Sequence, residues 1–108
     1  MKKIISLFTL ILLSITAAKA QIIESKITTS GQCEHCKETI EKNIRFEKGV
    51  KKVAFDEKTH VVTVKYDETK TNLKNIQIAI SKLGYNADSI PADSKAYEKL
   101  NACCKKKE

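Results

Sequence analysis

Apolar and polar residues alternate along this chain with two different periods. Residues 21–29 (QIIESKITT) are β-branched and roughly alternating, with Ile23 and Ile27 bracketing polar Glu24, Ser25 and Lys26, which predicts a strand. From Cys33 onward the period changes: Cys36, Ile40 and Ile44 recur at steps of four, while Glu34, Lys37, Glu38, Glu41 and Lys42 cover the other side. That is an amphipathic helix with one apolar stripe, ending near Gly49. Residues 50–55 (VKKVAF) predict a second strand, 56–59 a hairpin turn, and 60–66 (HVVTVKY) a third strand with Val62, Val64 and Tyr66 on one face. A second helix follows, with Thr71 as N-cap, Leu73, Ile76, Ile80 and Leu83 at helical steps and Gly84 as the stop. Residues 85–90 (YNADSI) read as a weaker fourth strand. Pro91 opens a short helix to about Leu100, and the tail carries Cys103 and Cys104 with no periodicity.

The order β-α-β-β-α-β predicts an α+β, ferredoxin-like sandwich: a four-stranded antiparallel sheet with two helices on one face, plus a C-terminal helix and tail. Each strand-helix-strand crossover is right-handed, so the two halves interleave their strands and present both helix stripes to the same sheet face. The expected core is Ile27, Ile40, Ile44, Val53, Val62, Val64, Leu73, Ile76, Ile80 and Leu83.

Residues 1–20 stand apart. Lys2 and Lys3 precede an apolar run from 4 to 15 that ends in Ala18-Lys19-Ala20, the pattern of a secretory signal peptide cleaved after Ala20. A retained membrane anchor is the alternative, disfavoured because the run is short for a bilayer. Three segments follow: 1–20 leader, 21–90 folded domain, 91–108 appendage. The whole chain has 108 residues and a net charge of +7. Removing Lys2, Lys3 and Lys19 leaves 17 basic against 13 acidic side chains, a net +4, with Lys105, Lys106 and Lys107 clustered in the tail. A nearly neutral folded part disfavours nucleic-acid binding, and export places the expected location in the periplasm. The size excludes dinucleotide-binding domains and barrel enzymes.

Four cysteines in a small exported chain ordinarily suggest two disulfides. The spacing of Cys33-Glu34-His35-Cys36 points elsewhere, because it lies where a loop enters a helix. The opening turn of a helix has unpartnered N–H groups and the positive end of the dipole, which favour thiolate over thiol. One sulfur in the loop and one in the first turn can converge on a single ion. Soft ions such as Cu(I) and Hg(II) accept two thiolates, and a low coordination number permits transfer. A closed structural zinc site needs four ligands, of which Cys33 and Cys36 supply two. A thiol-disulfide redox protein and a disulfide-stabilised interaction module share this spacing and remain alternatives.

Several motifs occur in order: Ser30-Gly31-Gln32-Cys33-Glu34-His35-Cys36, Lys48-Gly49-Val50-Lys51-Lys52-Val53, Val62-Thr63-Val64-Lys65-Tyr66-Asp67, and Leu83-Gly84-Tyr85. Across roughly residues 24–90 the chain resembles the heavy-metal-associated domains of copper chaperones, metal-transporting ATPases and periplasmic mercuric-ion-binding proteins. The resemblance implies a non-enzymatic protein with a soft metal bound by Cys33 and Cys36, and with Tyr85 near the site. The expected donor or acceptor is a metal-transporting membrane protein or another metal-binding protein, and the chain is expected to be a monomer with at most transient membrane contact. Two departures stand out. Gly31 occupies the place of a Met that packs beneath the loop in the family, which implies a looser or differently supported loop. Gln32 stands where zinc- and cadmium-preferring relatives often carry Asp, which leans towards copper or mercury.

His35 is expected to face solvent, and His60, opening a strand after a turn, to take no part in the site. Glu34, Glu38 and Glu41 are expected to form a solvated face. Cys103 and Cys104 are neighbours, and neighbouring cysteines rarely bond each other because the ring is strained. A fourth strand running about 20 Å away from the loop, followed by a helix returning about 15 Å, brings them within reach of Cys33 and Cys36. They are expected to cap the metal loop as extra ligands or as a redox-gated lid. An independent tail is the alternative.

Overall fold

The structure, a computed structural model, describes residues 19–105. The expected leader therefore lies, but for its last two residues, outside the described residues, as do Lys106, Lys107 and Glu108. Among the described residues no helix is long and apolar enough to cross a membrane.

The element order is β1 (Ile22–Thr28), α1 (Glu34–Ile44), β2 (Val50–Asp56), β3 (Val61–Asp67), α2 (Leu73–Lys82), α3 (Ser94–Glu98) and a closing 3₁₀ turn, Ala102–Cys104. β3 lies between β1 and β2, antiparallel to both. Its alternation puts Val62, Val64 and Tyr66 in the core and leaves Lys65 exposed. The register sets Ile27 and Phe55 on either side of Val62, so three apolar side chains form one row across the sheet. Onto this face α1 packs Cys36, Ile40 and Ile44, and α2 packs Ile76 and Ile80, all in one buried cluster. Of the expected core, Val53, Leu73 and Leu83 are only partly buried, while Phe55, Tyr66, Tyr85 and Ala87 join it.

The sheet has three strands rather than four. Residues 85–90 make only isolated bridges, Thr29 to Ala87 and Ala87 to Ile90. The cause is a turn: Ala87 and Ile90 exchange backbone hydrogen bonds of 2.9 Å, and Asp88 adopts a left-handed φ of 52°, which acidic turn residues tolerate. The outer edge of β1 is nevertheless satisfied at Thr28, whose N–H donates to the Asp88 carboxylate at 2.9 Å and whose carbonyl accepts the Asp88 N–H at 2.8 Å.

The cap of α2 is Asn72, not Thr71. The Asn72 side-chain oxygen accepts the Asn75 N–H at 2.8 Å. Gly84 ends that helix as expected, with φ at 105°, and its missing side chain has a second use. A Cβ there would lie 2.9 Å from the backbone of Ala96 and Tyr97, so α3 rests directly on the glycine. This contact, with Leu100 packed against the core, turns the tail back towards the loop.

Candidate metal centre

The loop between β1 and α1 is tied down from three sides. The Gly31 N–H donates to the Thr29 hydroxyl at 3.2 Å, the Asn86 N–H donates to the Ser30 hydroxyl at 2.9 Å, and His60 Nδ1 lies 2.7 Å from the Gly31 carbonyl. A carbonyl can only accept, so Nδ1 carries the proton. His60 was expected to take no metal role; its ring here meets the loop backbone, and the register explains the contact. Because Thr28 pairs with Val61, the start of β3 lies beside the end of β1, and His60 at φ 62° turns its ring onto the loop. The His60 carbonyl also accepts from the Thr29 N–H at 2.9 Å and from the Thr29 hydroxyl at 3.0 Å.

Beneath the loop the Phe55 ring and the Ile40 side chain fill the space, each about 3.2 Å from where a Cβ on Gly31 would stand. The loop is thus supported by Phe55 and His60 rather than by a side chain at position 31. Glu41 also departs from the expected solvated face: its carboxylate accepts the Phe55 N–H at 2.8 Å, fastening α1 to β2. His35 is exposed, as expected.

Cys33 is the N-cap of α1, with extended backbone, and Cys36 sits in the first turn, fully buried. Their sulfurs are 3.5 Å apart. The tail joins them. Cys36 and Cys104 form a disulfide with Cα atoms 5.8 Å apart, Cys104 is buried, and Cys33 and Cys103 are free. Cys33 Sγ lies 3.5 Å from Cys104 Sγ, and Cys103 Sγ lies 3.9 Å from Cys104 Sγ. The sulfurs of Cys33, Cys103 and Cys104 all fall within 4.8 Å of one another. Four cysteines from two ends of the domain therefore converge at one place.

The electrostatics divide the two free thiols. Burial opposes ionisation of Cys33, but the Cys103 thiol and the N–H groups of Cys36 and His35 in the opening turn outweigh it, and the Cys33 thiol is held below its ordinary value despite Glu57 nearby. The Cys103 thiol is pushed up, because its hydrogen bond to Cys33 favours keeping its proton, with burial adding to the effect. Tyr85 is buried, and among the described residues its hydroxyl makes no well-formed hydrogen bond. Burial raises its phenol, the neighbouring Thr39 hydroxyl offsets part of this, and the charge on Cys33 and Cys103 adds to it. Thr39 itself donates to the His35 carbonyl at 2.9 Å.

Chemically, two or more thiolates at a helix N-terminus suit a soft ion, and an adjacent disulfide suits exchange with thiols. The profile of the heavy-metal-associated domain matches residues 32–86. The copper chaperone CopZ of Enterococcus hirae is 40% identical over 58 residues, covering 54% of this chain and 84% of the chaperone. Among solved structures, oxidised MerP from Ralstonia metallidurans superposes with a TM-score of 0.60 at 26% identity, covering 63% of this chain and 96% of that one. The water-soluble region of the P-type ATPase CopA from Bacillus subtilis gives a TM-score of 0.59 at 32% identity, covering 65% of this chain and 47% of that one. The profile match takes in Cys33, Cys36 and Tyr85 and stops short of Cys103 and Cys104. This chain belongs to the heavy-metal-associated domain family and extends it with a C-terminal cysteine pair folded back onto the CxxC loop.

Proposed function

We propose that this protein is an exported carrier of a soft metal ion. It takes up Cu(I), or Hg(II) as the second candidate, through the thiolates of Cys33 and Cys36 and relays it for transport or detoxification. The observation that carries this reading is the placement of those two sulfurs, 3.5 Å apart where the loop enters α1 in a heavy-metal-associated domain. The names of its relatives, a copper chaperone and the water-soluble region of a P-type ATPase, support copper and a membrane transporter as donor or acceptor. Gln32 before the first cysteine offers no carboxylate, which makes Zn(II) and Cd(II) the poorer fit.

Transfer needs no enzymatic step. A partner thiolate adds to the bound ion, the coordination number rises by one, and a thiolate of this chain leaves. The protein acts as a monomer, without nucleic acid and with no lasting membrane contact. Export rests on the leader-like residues 1–20, and the Cys36–Cys104 disulfide suits an oxidising compartment such as the periplasm.

The test is anaerobic Cu(I) titration of the reduced protein against a competing chelator. One ion per chain, bound more weakly by Cys33→Ser, is expected, and no binding by the reduced protein overturns the reading. Intact mass of the protein from a periplasmic fraction tests cleavage after Ala20. A thiol-disulfide redox protein is the second reading, favoured by the free Cys33 sulfur beside both Cys36 and Cys104. Turnover in an insulin-reduction assay at the rate of a dithiol reductase would establish it in place of the carrier.

A further inference from the structure

We propose that the C-terminal Cys103-Cys104 pair is a covalent lid on the metal loop: oxidised, it closes the site through the Cys36–Cys104 disulfide, and reduced, it adds its thiolates to the ion. The proposal rests on the carrier reading and deepens it, since it changes how many sulfurs the ion meets and when.

A structural staple needs one pair of cysteines, and four are gathered here. The disulfide takes one cysteine from each pair, Cys36 from the loop and Cys104 from the tail, and leaves the other of each pair free and adjacent. Cys33 Sγ is 3.5 Å from both bonded sulfurs, and the sulfurs of Cys33, Cys103 and Cys104 lie within 4.8 Å. That compactness is what ligation of one ion by several thiolates requires once the disulfide is open. The tail is brought there by built contacts. α3 rests on Gly84, Leu100 packs on the core, and the Cys104 N–H donates to the Asn101 carbonyl at 2.9 Å in the closing 3₁₀ turn.

In the oxidised form Cys36 has no lone thiolate to offer and a two-sulfur site at the loop does not exist. Opening takes two electrons from a dithiol reductant. One thiolate of the reductant attacks Cys104 Sγ and releases Cys36 as a thiolate. The second thiolate of the reductant then displaces Cys104, and the reductant departs as its own disulfide. The ion binds to the freed sulfurs with loss of their protons to solvent. Release of the tail from the loaded site leaves Cys33 and Cys36 as the pair exposed to a partner, so the tail separates a retaining state from a transferring one.

X-ray absorption of the unmodified, reduced protein loaded with one Cu(I) counts the sulfurs without any substitution. Three or four sulfurs, Cys33 and Cys36 plus one or both tail cysteines, are expected, and two overturn the lid. The double variant Cys103→Ser/Cys104→Ser is expected to hold Cu(I) about tenfold or more weakly than the unmodified chain, because tethered ligands act at high local concentration. Equal affinity in the two proteins also overturns it. Peptide mapping of the air-oxidised chain is expected to recover the 36–104 linkage, and its Cu(I) affinity is expected to rise when a dithiol is added. Recovery of a 33–36 disulfide instead rejects the lid as the oxidised form. If the reduced unmodified chain binds no Cu(I) at all, the carrier reading fails, and that result is distinct from binding that ignores the tail.

Discussion

Cys36 and Cys104 are 68 residues apart in the chain and share a disulfide in the core, one from the first turn of α1 and the other from the closing turn of the tail. The bond encloses most of the folded domain. Closing a loop of that size removes enough freedom from the unfolded chain to contribute roughly 4 kcal/mol of stability. Urea denaturation of the oxidised protein with and without a dithiol reductant is expected to show a loss approaching that size, with Cys104→Ser matching the reduced protein. Coincident transitions would mean that the bond contributes nothing to the fold.

Gly84 couples the body of the domain to the tail. Gly84→Ala places a side chain at φ 105° and 2.9 Å from the backbone of α3. A loss of about 2–3 kcal/mol is expected from backbone strain and the displaced helix. The same variant is expected to expose Cys104 after reduction, read as faster alkylation of that thiol than in the unmodified chain.

His60 holds the loop through the Gly31 carbonyl. His60→Ala removes that donor and is expected to cost about 1–2 kcal/mol. Amide exchange checks the location of the damage: residues 29–33 should lose protection while α2 keeps it.

Tyr85 buries a hydroxyl that makes no well-formed hydrogen bond among the described residues. Tyr85→Phe keeps the ring and deletes the unsatisfied group, so thermal unfolding of the metal-free protein is expected to shift upward by the equivalent of about 1 kcal/mol. A downward shift would show that the hydroxyl has a bonding partner in solution.

Asp67 accepts from the Thr69 hydroxyl at 2.6 Å, the Thr69 N–H at 3.0 Å and the Gln21 nitrogen at 3.3 Å, and these bonds hold its carboxyl below the ordinary value. A depressed folded-state pKa stabilises the fold above the unfolded-state value of about 4 and loses that contribution as pH falls through the folded value. The stability difference between the unmodified chain and Asp67→Asn is therefore expected at neutral pH and to vanish in acid. With cleavage after Ala20 the Gln21 nitrogen becomes an ammonium group beside this carboxylate. The difference is then expected to be larger in the cleaved chain than in one extended at its N-terminus.

The apolar stripe Cys36, Ile40 and Ile44, the alternation Val62, Val64 and Tyr66, and the Gly84 stop were all legible because they express local periods of 3.6 and 2. The Cys33 and Cys36 placement was legible for the same reason: a loop followed by an amphipathic helix locates both on the opening turn. Residues 85–90 read as a strand from their composition, yet Asp88 bends the chain and its carboxylate takes over a bond that a strand would have made. Thr71 and Asn72 are both good caps by residue type, and the fold places the Asn72 side chain where it accepts the Asn75 N–H.

What the sequence by itself determined is the order of elements, the faces that turn inward and the position of the CxxC pair, since each follows from interactions among residues a few positions apart. What only the tertiary structure decided is which distant residues meet: His60 with Gly31, Phe55 beneath the loop, Gly84 against α3, and Cys104 with Cys36. Those meetings depend on strand register and on the path of the returning tail. Both are set by how the whole core packs, and local periodicity carries no record of them.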